Sequence, residues 1–242
     1  ILDLSRIESK TIRLDRVRIP LTRLVRRTVD SLRIQAVESN LSLSLSLNGS
    51  KGFADCDPQK VERLLLNLIR NAVKFTPPQG AVDVSLRTPK GKPDLFELRV
   101  TDSGIGISSE HIDKVTDRYF RVGEQVDGTG LGLAICKDIV ELHGGSLAIC
   151  SPPPDQPTGA QVSICLPKSS PPHVLAVDDC TDTAQVIGKQ LESEGYAVAS
   201  AANGVEALAF LEQQIPDIII TDLVMPVMDG ISMIAEIKAH PE

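Results

Sequence analysis

The chain has no tryptophan and only five phenylalanines and two tyrosines in 242 residues. That scarcity excludes nucleic-acid modules that work by stacking bases on aromatic rings. A net charge of −7 also speaks against a general binder of phosphate backbones, so no nucleic-acid partner is expected. No stretch approaches the ~18 consecutive apolar residues that a membrane-spanning helix needs, so no membrane contact by these residues is expected, although the parent protein could be anchored elsewhere. Five cysteines, an odd number without a C-x-x-C pair, fit neither a disulfide scaffold nor a zinc ribbon. Reduced thiols in a cytoplasmic setting are the simplest expectation. No G-x-x-x-x-G-K-[ST] run is present, which excludes a P-loop. An initiator methionine is also missing, and Ile1 reads as an internal cut.

What is there is enough for a real core: 42% of residues are hydrophobic, in a length of one to two domains. The charge is unevenly spread. Residues 1–40 carry nine Lys/Arg against five Asp/Glu, residues 41–172 fourteen against fifteen, and residues 173–242 only two against twelve. Such asymmetry points to distinct modules. Pro167, Pro171 and Pro172 enclose Lys168-Ser169-Ser170, a short stiff linker. The main boundary is therefore expected at 168–172.

Before it, Leu4, Ile7 and Thr11 have helical spacing, too short to be stable alone. A helix is expected over Leu21–Glu38, and strict alternation over Leu41–Leu47 predicts a half-buried strand with its serines outward. Asp57-Pro58 is a helix start. Val61, Leu64, Leu65, Leu68, Ile69, Ala72 and Val73 then form one apolar face, and Pro77-Pro78 ends it. Strands are expected near 80–87, 95–101, 146–150 and 160–166, with a helix over 131–142 closed by Gly144-Gly145. The Pro-rich 152–157 stretch reads as a connecting loop. Mixed strands covered by helices make an α/β two-layer sandwich.

Beyond the linker, Val174–Val177 and Ile218–Thr221 are continuous apolar runs, as in parallel strands buried on both faces. Helical segments near 182–194 and 204–213 alternate with them in a doubly wound β-α-β pattern. It stops at Glu242 after what should be the third helix, so this module reads as cut short and incomplete.

Three constellations carry chemistry. Asn67, Asn71 and Lys74 recur at i, i+4, i+7, one stripe beside the apolar face. A side-chain amide oxygen suits Mg²⁺, which keeps phosphate and water ligands, and an ammonium offsets phosphate charge. Taken alone, the stripe is more readily an ordinary solvated face. Asp102-Ser103-Gly104-Ile105-Gly106 ends an apolar strand, where a fixed carboxylate could accept a hydrogen bond from an exocyclic amine and read adenine; alone, it is as readily a glycine turn. Ser109 stands where a Rossmann fingerprint has its third glycine. Gly128-Thr129-Gly130-Leu131-Gly132-Leu133 runs straight into a helix whose N-terminus attracts phosphate. Arg118 and Arg121 lie between the last two in a polar stretch that reads as a mobile lid or simply a long loop.

The order of these motifs resembles the N, G1 and G2 boxes of the sensor histidine kinases, members of the ATPase superfamily that includes DNA gyrase, mismatch-repair proteins and heat-shock chaperones. Asn67-Leu68-Ile69-Arg70-Asn71-Ala72-Val73-Lys74-Phe75-Thr76 and Asp117-Arg118-Tyr119-Phe120-Arg121 look like the kinase branch. The resemblance covers roughly residues 1–167, with 1–14 as the end of a dimerisation helix and 15–167 as the catalytic domain. It implies a Bergerat-type ATP site: Asn71 as Mg²⁺ ligand, Asn67 and Lys74 near the phosphates, Asp102 on adenine, and Gly104 and Gly106 beside the base. Gly128, Thr129, Gly130, Leu131 and Gly132, with Arg121, belong to the lid and its far anchor. Thr116 departs from the family, which usually has Phe there, and puts the lid's packing in question.

The phosphoaccepting His box belongs upstream. His111, His143, His173 and His240 do not stand in for it, and His143 at a helix end reads as a cap or a cation. A homodimer through upstream helices is implied.

Residues 173–242 resemble a response-regulator receiver domain, with Asp178-Asp179 after the first strand, Asp222 ending the third, and Met225-Pro226 and Asp229-Gly230 behind it. Crowded carboxylates call for Mg²⁺, and Asp222 could then attack a phosphohistidine. The family's later Ser/Thr and Lys are absent, so a deficient receiver is expected.

The whole reads as part of a hybrid sensor histidine kinase that passes the γ-phosphate of ATP to a His and then to Asp222, with a phosphotransfer or response-regulator protein downstream. The alternative is a nucleotide-free scaffold or pseudokinase acting through protein contacts. A gyrase-like clamp would want Glu at position 67. The kinase reading requires Asn71, Asp102 and Gly130 to converge on one site.

Overall fold

Alternating strands and helically periodic segments sort into two layers in the computed structural model, which describes residues 13–48, 52–121 and 129–239. The described residues divide into two units, one of 13–48 with 54–169 and one of 170–239, with which 52–53 are grouped. In the first, the elements run β1 (Val17–Pro20), α1 (Leu21–Ser31), α2 (Arg33–Glu38), β2 (Ser42–Ser46), β3 (Phe53–Cys56), α3 (Pro58–Phe75) and β4 (Ala81–Arg87). Then come β5 (Leu95–Asp102), α4 (Gly132–Leu142), β6 (Ser146–Cys150) and β7 (Gln161–Pro167). Five strands form one mixed sheet in the order β2-β4-β5-β7-β6, with β2 parallel to β4 and the other pairs antiparallel.

Alternation decides the faces of this sheet. Val82, Val84 and Leu86 of β4, Phe96, Leu98 and Val100 of β5, and Ile164 and Leu166 of β7 are buried toward the helices. There they join all seven apolar residues predicted for α3, with Leu24, Val25 and Val29 of α1 and Ile135, Ile139 and Val140 of α4. A buried aliphatic or aromatic side chain contributes roughly 1.5–3 kcal/mol, so this shared face holds the layers together. Ser42, Ser44, Asp83 and Arg87 point to the other side and are exposed. The result is the expected two-layer α/β sandwich.

Asp57 starts α3 as its spelling requires: the side chain accepts from the N–H groups of Gln59 and Lys60, each at 3.1 Å. The single helix expected over Leu21–Glu38 is instead two, separated at Leu32. Thr28 donates its hydroxyl to the Leu24 carbonyl and Ser31 to the Thr28 carbonyl, and these side-chain bonds compete with the helical ladder. The Leu32 N–H turns to Val29 O, and the Leu32 side chain enters the core. The paired strands β1 and β3, four residues each, were not foreseen. The predicted helix end at residues 1–11 lies outside the described residues.

The second unit has β8 (His173–Val177), α5 (Thr181–Ser193), β9 (Ala197–Ala201), α6 (Gly204–Leu211), β10 (Ile218–Thr221) and α7 (Gly230–Ala239). Its parallel sheet has the order β10-β8-β9, the doubly wound arrangement expected. Val174, Leu175, Ala176 and Val177 of the central strand are buried. The expectation that Ile218–Thr221 is buried on both faces is corrected: Ile218 is 44% and Ile220 37% exposed, because β10 is an edge strand here. Leu175, Val177, Ala201, Ala207, Met225 and Met233 make the core. No helix among the described residues is long and apolar enough to cross a membrane.

Candidate functional site

The site of the first unit is built around the C-terminal half of α3. Asn67 and Asn71 are half-buried on one stripe and Lys74 is exposed one turn further on, its ammonium 5.3 Å from the centre of the Phe75 ring. A Cβ on Gly132 would stand 3.7 Å from Asn71 Nδ2, so the second glycine-rich segment lies against the Asn71 amide. The Asn67 amide lies near the buried thiol of Cys136 on α4, which donates to Leu64 O at 3.8 Å; burial pushes that thiol up to about 12, and the Asn67 amide only partly offsets it. The N-cap residue of α4 is Leu131, whose side chain offers no cap, and the first turn holds no acidic residue. The positive end of its dipole is thus left for an anion.

The Asp-x-Gly-x-Gly loop is fastened to the end of the same helix. Ile105 donates its N–H to Phe75 O at 3.2 Å, and a Cβ on Gly104 would stand 2.4 Å from that oxygen, so position 104 has room only for glycine. Asp102 ends β5, and its Oδ1 accepts from the N–H of Gly104 at 2.9 Å and of Ala160 at 3.2 Å. Burial pushes the Asp102 carboxyl above the usual aspartate range, and the two amide bonds only partly offset it. Both backbone donors go to this one oxygen.

The polar stretch before the second glycine motif is tied to it. Tyr119 donates its N–H to Gly130 O at 2.9 Å, Arg118 pairs with Asp138 of α4 at 3.0 Å, and a Cβ on Gly130 would strike the Tyr119 backbone at 2.7 Å. Phe120 meets the His111 ring edge-on at 5.5 Å, a ring contact formed although Thr116 stands where a Phe is usual. Thr129 and Arg121 are exposed and Leu131 is buried. Gly106 has a φ of +73° and lies against Ser151 and Gly159, and Gly128 lies outside the described residues. Asn71 thus meets Gly132, the end of α3 meets Gly104, and Gly130 holds the stretch between.

Sequence reasoning missed what lies behind Asp102. Gly159, with φ of +100°, sits so close that a Cβ there would be 1.9 Å from Asp102 O. The Pro-rich stretch expected as a connecting loop thus also backs Asp102; a glycine next to a strand that pairs with β5 is the available signal. His143 is also corrected from a possible cation: it is buried, and its Nε2 accepts the Asp57 N–H at 2.9 Å, which leaves the proton on Nδ1 facing Ile139 O at 2.7 Å.

In the second unit, the carboxyl ends of β8 and β10 lie side by side at the point where the strand order reverses, the usual ligand position in such sheets. Oxygens of Asp178, Asp179 and Asp222 all lie within 4.8 Å of one another. Asp178 Oδ1 accepts from the Cys180 N–H at 2.8 Å and Asp222 Oδ1 from the Leu223 N–H at 2.6 Å. A Cβ on Gly230 would lie 2.2 Å from Asp222 O, and Asp229 caps α7 by accepting the Ser232 N–H at 2.7 Å. That bond from Ser232 holds the Asp229 carboxyl below its ordinary range. Three hard oxygen donors this close suit Mg²⁺, which would offset their repulsion.

Residues 56–170 match the family described as histidine kinase-, DNA gyrase B-, and HSP90-like ATPase, and residues 174–242 the response regulator receiver domain. The chain is 31% identical to sensor protein EvgS of Escherichia coli over 98% of its own length and 22% of that protein. It is 30% identical to the circadian input-output histidine kinase CikA of Synechococcus elongatus over 99% of its length and 34% of that protein. Thus it spans about a fifth to a third of these curated relatives. The solved structure of the mycobacterial sensor histidine kinase MprB is 31% identical, with a TM-score of 0.55 over 63% of this chain and 97% of that one. The chain belongs to the sensor histidine kinases, in the hybrid arrangement that places a receiver domain behind the kinase ATPase domain.

Proposed function

We propose that the first unit binds ATP with Mg²⁺ and that the parent protein passes the γ-phosphate to a histidine and then to Asp222. The observation that carries this reading is the meeting of Asn71 with Gly132 and of the α3 end with Gly104, beside a carboxylate with both backbone donors on one oxygen. In it, Asp102 Oδ2 accepts the exocyclic amine of adenine, and Gly104 and Gly106 let the base approach the backbone. Asn71 gives an amide oxygen to Mg²⁺, and Asn67 and Lys74 serve the phosphates. Thr129 to Gly132 and Arg121 close over the triphosphate together with Gly128. Bound Mg²⁺ would spread the developing charge of phosphoryl transfer.

Asp178, Asp179 and Asp222 would hold a second Mg²⁺. An Asp222 oxygen attacks the phosphorus of a phosphohistidine; the P–N bond breaks, the imidazole takes up a proton, and an acyl phosphate forms. The phosphohistidine lies on another helix of the parent, which joins two copies into a homodimer; a response regulator or phosphotransfer protein receives the group downstream. We place the catalytic domain at 15–167 and the linker at 168–172, both on the cytoplasmic side, where ATP is supplied. Calorimetric titration tests the site: Mg²⁺-dependent ATP binding is expected, and its loss in Asn71→Ala and Asp102→Ala. Equal binding by all three chains would overturn the assignment, and no binding by a folded wild type would leave a scaffold.

A further inference from the structure

The loop between β6 and β7 comes up against the Asp102 loop through one hydroxyl. Ser151 Oγ accepts the Ile107 N–H at 2.8 Å and donates to Gly159 O at 2.7 Å. The same oxygen lies 2.9 Å from where a Cβ on Gly106 would be. Gly159 presses on the Asp102 backbone, and the next residue, Ala160, donates its N–H to Asp102 Oδ1. Asp102 in turn donates its own N–H to Ala160 O at 2.9 Å. A single half-buried hydroxyl therefore joins the far end of the glycine loop to the segment that backs the carboxylate.

We infer that Ser151 is a positioning residue of the adenine pocket, setting the gap between residues 104–107 and the Asp102 carboxylate. The inference rests on the ATP-binding reading of this site. The near end of the loop is held by Phe75 O and Asp102 Oδ1, so it keeps its place without Ser151. The far end is held through Ile107 N, which donates to this hydroxyl. Without it, Ile107 and Gly106 swing relative to Asp102, and the base loses its flat seat while the phosphate end on α3 and α4 is unchanged. The consequence is a loss of base selectivity rather than of phosphate affinity.

The test uses the full chain, with ATP and GTP titrated in Mg²⁺ by calorimetry. Ser151→Ala weakens ATP about tenfold, as two part-buried backbone groups lose one shared partner, and narrows the ATP-to-GTP preference. Ser151→Thr, which keeps the hydroxyl, restores both, and Ser151→Cys, a poorer hydrogen bonder, falls between. The thiol variant decides the matter if the alanine variant does not fold. Wild-type affinity and selectivity in both Ser151→Ala and Ser151→Cys, or equal losses for ATP and GTP, would overturn the role of Ser151. A folded wild type without ATP affinity would instead remove the reading beneath it. Wild-type binding that is lost in Asp102→Ala but kept in Ser151→Ala would sink Ser151 alone.

Discussion

The imidazole of His143 accepts the backbone N–H of Asp57 at 2.9 Å, across 86 residues of chain. Asp57 caps α3 with one oxygen and takes the Asp15 N–H at 3.2 Å with the other. The entry segment, the start of the asparagine helix and the end of α4 therefore share one buried knot. Arg16 adds a bond at 2.7 Å to the carbonyl of Leu142, at the α4 end. Replacing His143 with alanine leaves the Asp57 N–H buried without an acceptor. A loss of about 1–3 kcal/mol is expected in urea unfolding of the first unit. A variant as stable as wild type would show that the knot is dispensable.

The raised carboxyl of Asp102 sets a trade-off between stability and binding. A carboxyl that is easier to protonate when folded contributes stability at acid pH, and that contribution is lost as pH rises through its folded value. At neutral pH the ionised group is therefore a cost. Asp102→Asn keeps an oxygen for Gly104 and Ala160 but puts a donor where, in the proposed site, the adenine amine donates. Its melting temperature at pH 7 should equal or exceed wild type, while ATP affinity falls about tenfold or more, the loss of a bond to a charged acceptor. A variant that is both less stable and binds normally contradicts this.

Glu97, on the outer face of β5, behaves in the opposite way. Burial pulls its carboxyl up, but hydrogen bonds from Arg99 and Arg87 outweigh it and hold the group below its ordinary value of 4.5. Stability from this cluster is present above the unfolded value and is lost as pH falls through the folded one. Because both arginines are partly exposed, the contribution is discounted to about 1 kcal/mol. Glu97→Gln should be less stable than wild type by that amount at pH 7, and the gap should close below pH 4.5. A gap independent of pH would point to packing instead.

Three carboxylates within 4.8 Å of one another are the groups proposed to hold Mg²⁺ in the second unit. Titrating Mg²⁺ into the nucleotide-free chain should give binding heat that disappears in Asp222→Asn and Asp178→Asn and persists in Asn71→Ala. Retention of that heat in both aspartate variants would move the cation elsewhere.

Much of this architecture is written locally. The α3 helix could be read because a cap, a first-turn proline, an unbroken apolar period and a proline pair all agree. The strand at Ser42–Ser46 could be read because its alternation is strict. The break at Leu32 could not, since it depends on hydroxyls that bond backward only once the helix exists. Strands β1 and β3 are too short to carry a period. The exposure of Ile218 and Ile220 follows from their place in the sheet rather than from their own apolar spelling. The three motif boxes were legible as spacing, but Ser151 and Gly159 acquire meaning only when β7 pairs with β5. That pairing joins segments some sixty residues apart, and no local pattern announces it.

The helix-free side of the five-stranded sheet is serine-rich and wet, from Ser42 and Ser44 on one edge to Ala148 on the other. Ala148 is exposed there, two strands away from Glu97 and its arginine partners on β5, so it is a natural place to attach a reporter. In a protein with no tryptophan of its own, a single indole introduced at Ala148 becomes the sole emitter of its kind, and the motions of the nucleotide-binding half can be followed optically without disturbing it.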